Sequence, residues 1–182
     1  MTLATRKLDA VNDASALRAL CGRVTSELRK ALGLLDTLAN EDYRASRSGR
    51  GSVGAHVRHN LDMISCLLRG LESGQIDYSA RERDERIETD RAYAALKVRS
   101  TAAALEDISR KHTSALSVRS ETERDVWLAS TLERELEFVH SHTVHHHALI
   151  AEKLSAAGIE LDERFGVAPS TLTFWNENPA AR

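Results

Sequence analysis

The sequence predicts an all-α protein built as a bundle of four long helices, and three observations carry that expectation. The 182 residues include only two prolines and nine glycines, and the chain is rich in Ala, Leu, Arg and Glu, residues that favour helix. Apolar residues recur every three or four positions through four separate segments. No segment of comparable length alternates with the two-residue period of a strand. At this length the chain fits one domain with a substantial core. It is therefore read as a single unit over 1–182, a bundle over 10–158 followed by a C-terminal tail over 159–182.

The first helix is expected from Asp13 to Leu38, where Leu17, Leu20, Val24, Leu28, Leu32 and Leu35 share one face. A polar stretch from Asn40 to Gly51 breaks it. The second helix opens at Ser52 and is expected to run to Glu72, with Ser73-Gly74 as its stop. The third begins at Thr89 or Asp90 and reaches His112. The fourth starts at Ser130, where Ser130 and Glu133 have the spacing of a capping box, and stops before Gly158. Val118 and Val126-Trp127-Leu128 are candidates for short extended pieces in the third connection. The tail carries Phe165, Phe174 and Trp175. Aromatics are scarce elsewhere, so the tail is expected to pack on the bundle or on a second subunit.

The densest chemical signal lies inside the fourth helix, where His140, His142, His145, His146 and His147 fall within eight residues. The run is internal, interrupted and flanked by periodic apolar residues, so it is not read as a purification tag. Neutral imidazole is the commonest protein metal ligand, and two histidines spaced i, i+4 on a helix point the same way. With His142 set at zero and about 100° per residue, His146 falls at about 40° and Glu135 at about 20°. Phe138, Leu149, Val139, Ile150 and Leu132 surround them on the same wheel, so these three polar residues occupy the middle of the apolar stripe. His140 and His147 fall at its margin. Two imidazoles and a carboxylate on a core stripe are costly to bury without a partner, and a metal ion supplies one.

The second helix offers the remaining candidate ligands, His56 and His59. Its apolar arc holds Val53, Val57, Leu61, Met63, Ile64, Leu67, Leu68 and Leu71. His56 lies within that arc and His59 nearer its edge, so angles alone slightly favour His56. Asp62, three residues beyond His59, is a candidate acceptor for its ring. His112 stands alone and is read as a surface or helix-terminal residue. Cys21 and Cys66 sit in helical patterns, too few and too separated for a disulfide framework, and are read as small core residues. In the charged segment Tyr78 to Asp90 (YSARERDERIETD) the main reading is a solvated connection. The sharper one puts some of Arg81, Arg83 and Arg86 at a pocket mouth, facing an anion.

Several function classes are disfavoured. A formal charge of −2 gives no basic footprint for nucleic acid. No apolar stretch approaches the length of a membrane span and the N-terminus lacks a signal-peptide pattern, so the expectation is a cytoplasmic protein. A ferritin-like di-iron site needs two E-x-x-H motifs, and only Glu137-x-x-His140 matches. The H-E-x-x-H zincin motif, the G-x-S-x-G elbow, zinc-ribbon cysteines and phosphate-binding glycine loops are all missing.

The pattern SVGAHVRHNLD (Ser52 to Asp62), followed by HTVHH (His142 to His146), resembles the DinB/YfiT-like metalloprotein superfamily. The resemblance covers most of the chain. RERDERIETD, RELEFVHSHTVHHHALI and FGVAPSTL are also similar to a bacterial subgroup of that superfamily. It implies an up-down-down-up four-helix bundle, with one ligand early in the second helix and an H-x-x-x-H pair on the last. That pair carries over onto His142 and His146, and the early histidine best onto His59, with His56 as the alternative. Asn60 departs from the family pattern, which is usually apolar there. Relatives include mycothiol-dependent isomerases, bacillithiol S-transferases and the iron-binding bundle domain of ergothioneine-synthesising enzymes. The resemblance thus implies a divalent metal (zinc, nickel or iron) and a small-molecule substrate, among them a low-molecular-weight thiol. It also implies a metal-dependent S-transferase-like or hydrolase-like enzyme, with homodimers as a family-level expectation. Glu135 is the candidate catalytic carboxylate: orienter, proton acceptor or extra ligand. The alternative is a non-catalytic metal- or ligand-binding bundle with structural histidines.

Overall fold

The computed structural model describes residues 3–46, 51–108, 115–123 and 125–179, and of residues 3–14 the backbone alone. Helix α1 (Leu3–Thr37) starts earlier than its apolar spacing suggests. Its buried Leu17, Cys21, Val24, Leu28 and Leu35 follow the expected face. The polar stretch after it contains a short helix, α2 (Asn40–Arg44), whose Tyr43 is fully buried. Helix α3 (Val53–Ser73) begins where Ser52 accepts a hydrogen bond from the Ala55 N–H at 3.0 Å. It ends at Gly74, whose φ of 75° is the left-handed conformation a helix stop requires.

Strand β1 (Gln75–Ile76) follows at once. The charged connection is less solvated than its composition implies. Tyr78 is buried in it, and it forms a further short helix, α4 (Glu85–Thr89), with Ile87 buried. Helix α5 (Arg91–Ile108) starts beside Asp90, whose carboxylate accepts from the Tyr93 N–H at 3.0 Å. Its expected end near His112 lies outside the described residues.

The chain is mostly helical rather than all-α. Strand β2 (Leu116–Arg119) contains Val118, and β3 (Trp127–Ser130) takes up most of the Val126–Leu128 piece. With β1 they form a sheet in the order β1-β2-β3, parallel then antiparallel. That sheet moves the cap of helix α6 (Leu132–Ser155) by one residue, from Ser130 to Thr131. Ser130 pairs with Leu116 in the ladder, so its backbone is committed to β3. Thr131 therefore becomes the cap, its hydroxyl accepting from the Arg134 N–H at 3.3 Å, and the Ser130/Glu133 box does not form.

Long helices α1 and α3 each pack against both α5 and α6. Between α1 and α5, Arg29 pairs with Glu106 at 2.9 Å and Asp36 with Arg99 at 3.6 Å. The Arg91 guanidinium also donates to the Leu35 carbonyl. All four contribute to one hydrophobic cluster, which also takes in Ile76, Tyr78 and Leu116 from the sheet end. Of the tail, Ile159, Leu161 and Phe165 pack against this core. Its last helix, α7 (Pro169–Glu177), buries none of its residues, and Phe174 is exposed. Among the described residues no helix is long and apolar enough to cross a membrane.

Glycine 54 fixes the approach of α4 to α3. A Cβ on Gly54 would lie 2.2 Å from the Glu88 carbonyl oxygen and 2.9 Å from the Tyr43 ring. Gly54→Ala should therefore destabilise the protein by about 1–3 kcal/mol through overpacking. A Cβ on Gly22, in the middle of α1, meets nothing within 4 Å. Gly22→Ala should stabilise it by about 0.4–1 kcal/mol. Urea unfolding midpoints of the two variants check both signs.

Candidate metal centre

Where α3 packs on α6, three imidazoles converge. Ser52 sets the start of α3, which puts His56 and His59 two turns or less from its N-terminus. His142 and His146, one turn apart on α6, face them. His59, His142 and His146 each offer one nitrogen, and these donors all lie within 4.8 Å of one another. The His59 and His142 Nε2 atoms are 3.0 Å apart. Two nitrogens held at about 2.0–2.1 Å from one ion sit roughly that far apart. The ring centroids are 4.6 Å apart for His142 and His146 and 4.7 Å for His59 and His146. All three rings are half-buried. The donor set fits a divalent ion, and this group could hold one.

The electrostatics favour the ligand form. Burial first, then the neighbouring imidazoles His142, His59, His56 and His145, push His146 down to about 3. Burial, followed by His59, His145 and Arg81, pushes His142 down to about 4. His59 is lowered in the same way, by burial and then by Arg81, His56 and Arg58. At neutral pH the three rings are therefore uncharged, as coordination requires.

His56 sits at the rim of this group. It is more buried than His59, as the helical wheel indicates, and its Nδ1 is 2.8 Å from the Nδ1 of His146. Asp62 does not take the role of acceptor for His59. Its Oδ1 accepts from the Arg83 N–H at 3.1 Å, and the group beside His59 Nδ1 is the Arg81 guanidinium, at 3.2 Å.

Glu135 is buried on the same helix as His142 but is engaged elsewhere. The Tyr78 hydroxyl donates to one of its oxygens at 2.7 Å and the Ser130 hydroxyl to the other at 2.5 Å. Phe138 stands between the two places, its ring 5.0 Å from Tyr78 and 5.9 Å from His142. The carboxylate thus ties the start of α6 to the segment after β1.

The wheel of α6 has a different centre from the one its apolar residues suggest. The buried face runs through Leu132, Leu136, Val139, His140, Thr143, His147, Ile150 and Leu154. His140 and His147 are in the core, while His142 and His146 lie at its edge. The reason is that two of these core imidazoles have neighbours from distant segments. His147 Nδ1 is 3.1 Å from the Glu27 carboxylate of α1, and its ring stacks on Phe165 of the tail at 4.6 Å. His140 is also close to Glu27, though burial dominates and lowers its basicity. Glu27 itself would be raised by burial, but its bonds from His147 and Lys30 outweigh that and hold it low. Sequence reasoning missed Tyr78, Glu27 and the pairing of Arg81 with His59. No local spacing signals any of them, because each contact joins segments remote in the chain.

Of the other residues singled out in the sequence, Cys21 and Cys66 are free and buried. Arg86 pairs with Asp90 at 3.3 Å and lies over the Tyr93 ring at 4.1 Å. His112 lies outside the described residues. Compared with protein-family models, curated proteins and solved structures, the chain matches none of them.

Two outcomes follow for the metal-free protein. Above pH about 6.5, His142 and His146 are neutral in both the folded and the unfolded chain and impose no pH dependence. Below it the unfolded chain takes up protons that the folded site refuses until about pH 4 and 3. Stability should fall as pH drops through that window, and His146→Gln should flatten the slope, as read from unfolding midpoints between pH 7 and pH 4.5. Glu135→Ala leaves the Tyr78 and Ser130 hydroxyls without their acceptor and should cost about 2–4 kcal/mol in chemical denaturation.

Proposed function

We propose that this chain is a DinB-like, up-down-down-up four-helix bundle that binds one divalent metal ion through His59, His142 and His146 and uses it as an enzyme. The observation that carries the reading is the convergence of three neutral imidazoles, from two helices, within 4.8 Å. The bundle order is supported by the packing of α1 and α3 against both α5 and α6. Helix directions are supported by the Arg29–Glu106 and Asp36–Arg99 pairs, whose numbers run in opposite senses along α1 and α5. The parallel pairing of β1 with β2 brings together the segments that follow α3 and α5.

Zinc, nickel and ferrous iron all accept imidazole, so the donor set fits each of them. An ion held by three protein ligands keeps positions open, where it would act as a Lewis acid on a small thiol or on water. The chain's own residues supply the rest. The three rings are themselves uncharged before loading. Phe138 forms an apolar wall beside His142, and Glu135 with Tyr78 fixes the segment that leads to Arg81. The substrate in this reading is a small molecule, a low-molecular-weight thiol for S-transfer, with hydrolysis where water is the nucleophile.

A second reading is favoured by one observation. His56 Nδ1 approaches His146 Nδ1 to 2.8 Å, so His56 is near enough to join the group as a fourth imidazole. A closed four-histidine site would be structural rather than catalytic.

Elemental analysis of untagged protein, purified without metal-affinity resin, tests the proposal. About one equivalent of metal per chain is expected. It should be lost in His142→Ala and His146→Ala while helical circular dichroism persists, and retained in His56→Ala. Metal-free wild-type protein that takes up no ion on reconstitution would sink the reading. Loss of metal in His56→Ala would favour the closed site.

A further inference from the structure

The proposed centre has an unbalanced charge, and the imbalance falls on one residue. Other arginines of α3, of the connection that follows it and of β2 have an acid. Arg58 pairs with Glu88, Arg69 with Glu82, Arg86 with Asp90 and Arg119 with Asp77. Arg81 is half-buried and makes no ion pair among the described residues. Its Nη1 lies 3.2 Å from His59 Nδ1, and its Nε is buried without a hydrogen-bond partner. A guanidinium is always charged, and burying part of it against a neutral ring leaves that charge uncompensated.

Metal loading sharpens the imbalance. A guanidinium N–H can only donate, so its bond to His59 makes Nδ1 the acceptor. The other nitrogen of that ring, Nε2, is the one that faces His142 at 3.0 Å. Ligation through Nε2 puts the ring proton on Nδ1, where a metal-bound histidine usually donates to a carboxylate or carbonyl. Donor then meets donor, and Arg81 must turn to another acceptor. None of the three candidate ligands is a carboxylate, so a divalent ion and Arg81 together add three positive charges that no ligand offsets. A single guanidinium matches one carboxylate through two parallel N–H bonds.

We propose that Arg81 selects the substrate of this centre by pairing with the carboxylate of a small carboxylate-bearing molecule whose other end reaches the ion. The inference rests on the metal reading above and adds the substrate class. The test uses full-length protein loaded with cobalt(II) and two thiols of equal length, 3-mercaptopropionate and 3-mercaptopropanol. Each is titrated while the sulfur-to-cobalt charge-transfer band is followed. In the wild type the carboxylate should bind at least about tenfold more tightly, as one charge-assisted pair allows. Arg81→Met should bring the two thiols to equal affinity at unchanged cobalt content, and Arg81→Lys should keep part of the preference. Equal affinities in the wild type, no binding of either thiol, or a preference that survives Arg81→Met would overturn the inference while leaving the metal reading in place. Failure of the wild type to bind cobalt would remove the metal reading itself and this inference with it.

Discussion

The arrangement depends on how α3 meets α6. That contact buries apolar surface from both helices and at the same time brings imidazoles from each within hydrogen-bond range. Rings at such distances repel once protonated, so the packing holds only if they remain neutral. Partial burial secures this: it is the largest cause lowering His59, His142 and His146. The same condition that lets the two helices pack leaves nitrogen lone pairs available to a metal. Stability and coordination therefore make one demand on these side chains, and no carboxylate is placed among them to alter it.

The flanking structure holds this contact in place. Gly54 lets the backbone of α4 approach α3 at a distance no side chain would permit. Glu135, held by Tyr78 and Ser130, joins the start of α6 to the segment leaving β1. That segment continues to Arg81, which ends beside His59. The sheet, although small, is what makes these connections possible. Its middle strand β2 pairs on one side with β1, which follows α3, and on the other with β3, which precedes α6, so the two helices that carry the histidines are linked at those ends through β2.

The sequence made the long helices legible because their signals are local. Leucine spacing in α1, the Ser52 cap, the Gly74 stop and the i, i+4 pair on α6 each lie within a few residues. The histidine trio was legible only in part. His142 and His146 announce themselves by spacing, whereas the wheel of α3 gives preference to His56, and the resemblance to a known superfamily was needed to favour His59. The face of α6 was misjudged because polarity was counted against burial. His147 goes inside since Glu27 and Phe165, more than a hundred residues apart in the chain, supply it with partners, and His140 is buried within reach of the Glu27 charge. The short helix α2 was hidden for a related reason: its burial is carried by one residue, Tyr43, reaching the Ile87 carbonyl. Four polar residues around a single aromatic do not form an apolar period.

Four of the five clustered histidines of α6 thus divide between two environments on one helix, while His145 is exposed. His142 and His146 face α3 among neutral rings and the Arg81 cation. His147 faces α1 and the tail, next to a carboxylate held in its charged form. A carboxylate moved to the first face would neutralise Arg81 and add an oxygen ligand, lowering the affinity of the centre for an external anion. A cation moved to the second would compete with His147 for Glu27, which also accepts from Lys30 at 2.7 Å. The separation of acid from the trio is what leaves the proposed centre cationic on loading. It is also why an anionic substrate, rather than a protein side chain, is proposed as the partner of its remaining charge.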